Sequence, residues 1–146
     1  MRIAVVGAYG VGMTVKCPRL PVLGETVLGS SFSQGPGGKG SNQAVAAARL
    51  GAEAVFLTAV GDDDFGREAK RLWAREGVDG SGVQVVPGQP TMVALILVEP
   101  SGDNRIVVAP GALDWLTPKR VRAFADQIAA ADIVVVSMEI PLAAAL

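Results

Sequence analysis

Residues 37–44 read Gly-Gly-Lys-Gly-Ser-Asn-Gln-Ala and run straight into a stretch of good helix formers, Ala44 to Leu50, that stops at Gly51. A glycine loop feeding a helix constrains the fold strongly. Without Cβ atoms the backbone can come close to whatever lies opposite, and the helix start offers unpaired N–H groups and a partial positive charge. Lys39 adds a full charge, and Asn42 supplies both a donor and an acceptor. Such a junction suits hydroxyl-rich or anionic small molecules. The lysine lacks the lead-in of a Walker A loop, and the glycine spacing is not that of a dinucleotide fingerprint. On these residues alone, a plain glycine-rich connection with a solvated lysine stays open beside the binding loop.

The rest of the chain alternates short apolar runs with helical periods, the pattern of an α/β domain with a mostly parallel sheet. Ile3 to Val6, Ala54 to Ala59 and Ile133 to Val136 are continuous apolar runs of strand length, so both sheet faces are expected to be covered. A second helix follows Asp62-Asp63-Asp64, with Phe65, Ala69, Leu72 and Trp73 on one face and Gly77 as its stop. Three adjacent aspartates splay in different directions, so the run reads as an N-cap with favourable charge and not as a metal site. Thr117-Pro118 opens a third helix whose buried stripe is Val121, Phe124, Ala125 and Ile128. Thr14 to Ser33 and Thr91 to Ala109 read as extended chain, the second as a hairpin turning at Pro100 to Asn104. Met92 to Val98 is apolar on both faces, so neither side is expected to meet water.

Composition narrows the function. With 146 residues, half of them apolar, the chain is expected to form one domain with a filled core. A net charge of −1 and the absence of a long basic run give no case for nucleic acid. No apolar stretch reaches the roughly 18 residues needed to span a bilayer, and no membrane association is expected. A single cysteine, Cys17, fits a reducing cytoplasm and reads as a small strand residue. The lack of histidine removes the commonest general base and zinc ligand, which speaks against zinc and Ser-His-Asp hydrolases.

In open α/β sheets ligands bind beyond the carboxyl ends of the strands. Three such ends fall at Gly7 to Gly12, Gly61 to Asp64 and Ser137 to Glu139, and the helix start at Gly38 to Asn42 makes a fourth wall. Glu139 can accept from hydroxyls. A merely solvated charge at a strand end remains the other reading of it.

The window from Gly37 to Gly61 resembles the first signature of the ribokinase-like (PfkB-type) sugar kinases: Gly37, Gly38, Gly40, Asn42, Ala44, Gly51 and Gly61 all fall at its constrained positions. Leu23-Gly24-Glu25-Thr26, Val60 to Gly66 and Met138-Glu139-Ile140-Pro141 resemble further family segments. The resemblance implies a ribokinase-like sandwich: an α/β fold with a central, mostly parallel sheet and a small β lid built from about 14–33 and 91–109. It implies that residues 1–146 are the N-terminal, substrate-binding part of one kinase domain, with the nucleotide-binding half absent and the fold truncated. It assigns Gly38, Lys39, Asn42 and Glu139 to the sugar pocket. It further implies ATP and Mg²⁺ for a complete enzyme, a sugar or nucleoside substrate, a cytoplasmic location and a homodimer clasped through the lids.

Two departures from the family pattern bear on the substrate. Gly10 and Gly12 stand where ribokinase-like members carry an asparagine and an aspartate that hold the sugar, and Leu113 stands where an asparagine is frequent, with Asp114 next to it. The aspartate base of the family lies in a late Gly-Ala-Gly-Asp motif that nothing after Glu139 resembles. The chain alone is therefore expected to be inactive in phosphoryl transfer. Pro141 to Leu146 reads as the opening of another helix, and the strand at Ile133 to Val136 is expected to expose an edge that favours association. Two alternatives stay on the page: a non-catalytic sugar-binding or dimerisation module, and, more weakly, an NAD(P)-binding oxidoreductase using Gly7, Gly10 and Gly12.

Overall fold

The computed structural model describes residues 1–146. It contains β1 (Arg2–Val6), β2 (Gly10–Lys16), β3 (Ser31–Gly37), α1 (Lys39–Arg49), β4 (Glu53–Gly61), α2 (Asp64–Arg75), β5 (Val83–Val86), β6 (Val93–Val98) and β7 (Asn104–Ala109). A 3₁₀ turn (Gly111–Trp115) follows, then α3 (Pro118–Arg122), α4 (Ala125–Ala129), β8 (Ile133–Val136) and α5 (Leu142–Ala145).

The strands form two four-stranded sheets, one ordered β5-β4-β1-β8 and the other β3-β2-β6-β7. All pairings in the first are parallel, with Val5 opposite both Phe56 and Val135. Its central strands are buried on both faces, as their unbroken apolar runs require. One face packs against α1 and α2 around Val5, Phe56, Val60, Ala69 and Trp73. The other packs Val6, Val55 and Leu57 against Leu113, Leu116 and Ile140. Tyr9 and Phe56 both meet the Trp73 ring edge-on, with centroids 5.0 and 5.1 Å away. The buried Trp73 indole N–H donates to Ser41 Oγ at 2.9 Å, which ties α2 to the first turn of α1.

The second sheet is built from two separate excursions of the chain. β2 and β3 pair antiparallel, β6 and β7 pair antiparallel, and a parallel pairing of β2 with β6 joins the two hairpins. The β6–β7 turn lies at the expected place, with Gly102 at φ 90°. Gly24 also has positive φ, in a turn where Glu25 binds the Arg19 guanidinium and accepts from the Val22 N–H.

Several sequence expectations need correction. Gly10 and Gly12 lie within β2 and not in a strand-end loop, so the second sheet begins earlier than residue 14; no strand occupies 17–30. β1 therefore passes into another strand and not into a helix, which removes the βαβ unit that the NAD(P) alternative needs. The helix after the glycine loop starts at Lys39, because a φ of 90° at Gly38 turns the chain directly into it. The third helix is two short pieces, broken where Phe124 leaves helical geometry at φ −113° and packs against the core. The second sheet faces water more than the apolarity of Met92 to Val98 implied: Leu95 is 52% exposed and every residue of β7 is exposed, because only the β2 end around Val11 and Met13 packs against the body.

Candidate functional site

The site is built where three chain segments meet beyond the ends of β1 and β8. A Cβ on Gly40 would lie 2.6 Å from Gly7 Cα, and one on Gly7 would lie 2.9 Å from Ser137 Cβ. Only backbones without side chains can close to this distance, so the start of α1 rests directly on the end of β1. Gly38 is fixed by the same crowding: a Cβ there would sit 2.5 Å from the Ala8 carbonyl oxygen. Ser41 N–H donates to that same oxygen at 3.1 Å.

Onto this junction the loop after β8 brings Glu139. Its Oε1 lies 2.5 Å from Lys39 Nζ, and its Oε2 accepts from the Lys39 backbone N–H at 3.3 Å. The carboxylate thus sits on the positive end of the α1 dipole and takes one of its free amides. Both side chains remain partly open to solvent, Lys39 at 73% and Glu139 at 38%. An added anion would meet Glu139 at close range, whereas a hydroxyl can donate to the carboxylate and accept from the ammonium. The arrangement therefore favours hydroxyl-rich ligands over anions.

The structure brings Gly38, Lys39 and Glu139 together. Asn42 stands one turn further along α1, exposed, and borders a shallow groove of about 340 Å³ with Pro36, Val45, Arg49, Leu72 and Glu76. Gly10 pairs with Gly37 beside the junction, and Gly12 pairs with Gly35 one pleat further out. Gly10 is required by packing, since a Cβ there would run into Met92, whereas Gly12 faces ordinary space with Ile96 Cδ1 at 3.6 Å. Leu113 is buried in the core and Asp114 is exposed beside it. None of the four concavities of the surface is lined by Lys39 or Glu139.

Sequence reasoning missed two features. Glu139 as a cap of α1 has no local signal, because 100 residues separate it from Lys39. Thr91 was also passed over, although its hydroxyl and amide both donate to Asp63, at 2.6 and 2.7 Å. Asp63 is the N-cap of α2, accepting from Gly66 N–H at 2.8 Å. Burial alone would push its carboxyl up; the Thr91 and Gly66 donors and the nearby Arg67 guanidinium outweigh it and hold the carboxyl below its ordinary value. Asp62 and Asp64 both engage Arg67. All three are thus engaged by donors or cations of the chain itself, and no group of three or more His, Cys, Asp or Glu side chains is gathered in the structure. No helix is long and apolar enough to cross a membrane.

Known proteins resemble the chain along nearly its whole length. Residues 2–145 match the pfkB family carbohydrate kinase description. The ribokinase of Bacillus subtilis is 41% identical over 139 residues, covering 95% of this chain and 47% of the relative. The deoxyribokinase of Salmonella typhi is 35% identical over 142 residues, covering 97% of this chain and 46% of the relative. Among solved structures, Arabidopsis thaliana ribokinase complexed with ribose and ATP superposes with a TM-score of 0.80 at 28% identity, over 99% of this chain and 48% of the other. The chain thus spans about half the length of the relatives it matches. From the two-sheet fold, the glycine junction under Glu139 and a family match along almost its whole length, the chain belongs to the pfkB family of carbohydrate kinases.

Proposed function

We propose that this chain forms the substrate-binding part of an ATP-dependent kinase that phosphorylates a hydroxyl of a sugar or nucleoside. The observation that carries the reading is the Lys39–Glu139 pair at the start of α1. A substrate hydroxyl entering there donates to Glu139 and accepts from Lys39, while Gly38 lets the start of α1 close onto the Ala8 backbone. Asn42 adds a second polar contact on the exposed side of α1. Gly10 and Gly12 border the site without side chains, so the grip on hydroxyls is concentrated at the α1–β8 end.

ATP would supply the phosphoryl group and Mg²⁺ would offset its charge. The base that takes the hydroxyl proton and the groups that hold both are assigned to residues outside this chain, because its own aspartates are capping, ion-paired or solvated. Residues 14–33 and 91–109 are assigned to a lid over the substrate. The exposed Ile106, Val107 and Val108 of β7 support a homodimer formed through that lid. A cytoplasmic setting agrees with the single cysteine.

The test is calorimetric titration of the protein with D-ribose, 2-deoxyribose and inosine, paired with an ATP-dependent phosphorylation assay. Binding of at least one of them that is lost in Glu139→Gln and Lys39→Ala supports the reading. Binding that survives both substitutions overturns it. Phosphorylation by the chain alone would overturn the assignment of the base to residues outside it.

A further inference from the structure

The second sheet leaves the body and returns to it at several points, and one of them is bolted far more tightly than a connection requires. Between β5 and β6, Thr91 is 1% exposed and makes three side-chain-mediated hydrogen bonds within a single knot. Gly61 N–H donates to Thr91 Oγ1 at 2.9 Å, and that hydroxyl donates onward to Asp63 Oδ1. Asp63 Oδ2 takes the Thr91 amide, and Oδ1 also takes Gly66 N–H. Every donor and acceptor in the knot is satisfied, which a buried network must be to stabilise its surroundings.

The neighbouring backbone is held as closely. A Cβ on Gly61 would overlap the Gln89 carbonyl, one on Gly66 would overlap the Gly61 carbonyl, and one on Gly111 would overlap the Pro90 carbonyl. Pro90 O also accepts from Ala112 N–H at 2.8 Å. Directly after the knot, Met92 O accepts from Val11 N–H at 2.9 Å, and the Met92 side chain fills the space above Gly10. A continuous path therefore runs from the end of β4 and the start of α2, through Thr91 and Met92, into both β2 and β6.

We propose that Asp63 is a positioning residue: acting through Thr91, it forms the fixed pivot that sets the second sheet against the body and so holds the paired Gly10 and Gly37 next to the start of α1. An N-cap needs only one acceptor, for Gly66 N–H; the second oxygen and the Thr91 hydroxyl serve the joint with the second sheet. This assignment rests on the two-sheet geometry and not on the identity of the substrate.

Hydrogen–deuterium exchange on the intact protein separates the two roles. Asp63→Ser can still cap α2 but cannot reach both donors of Thr91, and Thr91→Val keeps shape while losing the hydroxyl. Both are expected to raise exchange at Val11 and in Val93–Val98 by about tenfold or more while β1 and β4 as far as Val60 stay at the native rate. Thr91→Ser, which keeps the hydroxyl, should restore native protection. The proposal is overturned if Asp63→Ser alters only the first turn of α2, or if exchange rises equally in β1 and β4. Should Thr91→Val fail to fold, the Asp63→Ser pattern decides.

Discussion

Lys39 Nζ and Glu139 Oε1 lie 2.5 Å apart across 100 residues of sequence, at the one place where the start of α1 meets the end of β8. The pair is solvent-accessible, so it contributes only about 0–1 kcal/mol to stability. Its removal should therefore be nearly silent in thermal unfolding. Sugar binding should respond instead: Glu139→Gln and Lys39→Ala each remove a charge-assisted hydrogen bond, expected to weaken binding by about tenfold to a hundredfold. Calorimetric affinities set beside unfolding curves check both halves of this statement.

Glycines of the same region should respond in opposite directions. Gly38→Ala places a Cβ at φ 90° and against the Ala8 carbonyl, so it should destabilise by more than about 1 kcal/mol. Gly35 has no atom within 4 Å of a Cβ built on it and no positive φ. Gly35→Ala should therefore be neutral or stabilising by up to about 1 kcal/mol, chiefly by restricting the unfolded chain. Denaturant titration of the two variants measures both signs.

Tyr9 is the only tyrosine of the chain, so its titration can be followed without interference. Burial, then the charges of Glu68 and Asp63, push its pKa up to about 12. The folded value exceeds the usual tyrosine value, about 10, so the stability this group contributes is complete below pH 10. It is lost as pH rises from 10 through 12. Phenolate absorbance should thus appear near pH 12 in the native protein and near pH 10 after unfolding in denaturant. A native transition at the lower value would contradict the burial of the ring against Trp73.

β8 is an edge strand of the body, and Ile133, Val134 and Val136 are each between 39% and 46% exposed. Unpaired backbone groups beside exposed apolar side chains promote association. Light scattering should show association that Val134→Lys reduces. If Val107→Lys on β7 reduces it instead, the lid and not the body edge carries the contact.

The body of this fold was readable because its signals are local. Ile3 to Val6 and Ala54 to Ala59 announce buried parallel strands by unbroken apolarity, Ile133 to Val136 announces a parallel strand that proves to be an exposed edge, and Gly51 and Gly77 mark real helix stops with φ near 87° and 73°. Asp63 was legible as a cap for the same reason. The second sheet was legible only in outline, because Gly10 and Gly12 carry no side chain to betray a strand and are held there by partners on β3 and β6. Phe124 broke an otherwise good helical stripe because tertiary packing overrode periodicity. Of the site, Gly38 and Lys39 were evident from the glycine loop. The capping of α1 by Glu139 and the Asp63–Thr91 knot were not, since contacts across 100 and 28 residues leave no periodic trace.

The two-excursion construction of the second sheet governs how the molecule can assemble. Val11 pairs with Val93, and Ile3 pairs with Ile133, so neither sheet can be completed from neighbouring sequence. During synthesis the β2–β3 hairpin emerges long before its central partner β6 exists, and β1 waits longer still for β8. High sequence separation of this kind slows folding and lengthens the time that apolar strands stand unpaired. The body strands β1 and β4 can join early around α1, the second sheet can close only once β6 and β7 are made, and β8 completes the body sheet last. The order in which these distant partners are made therefore sets how long each apolar strand stands unpaired.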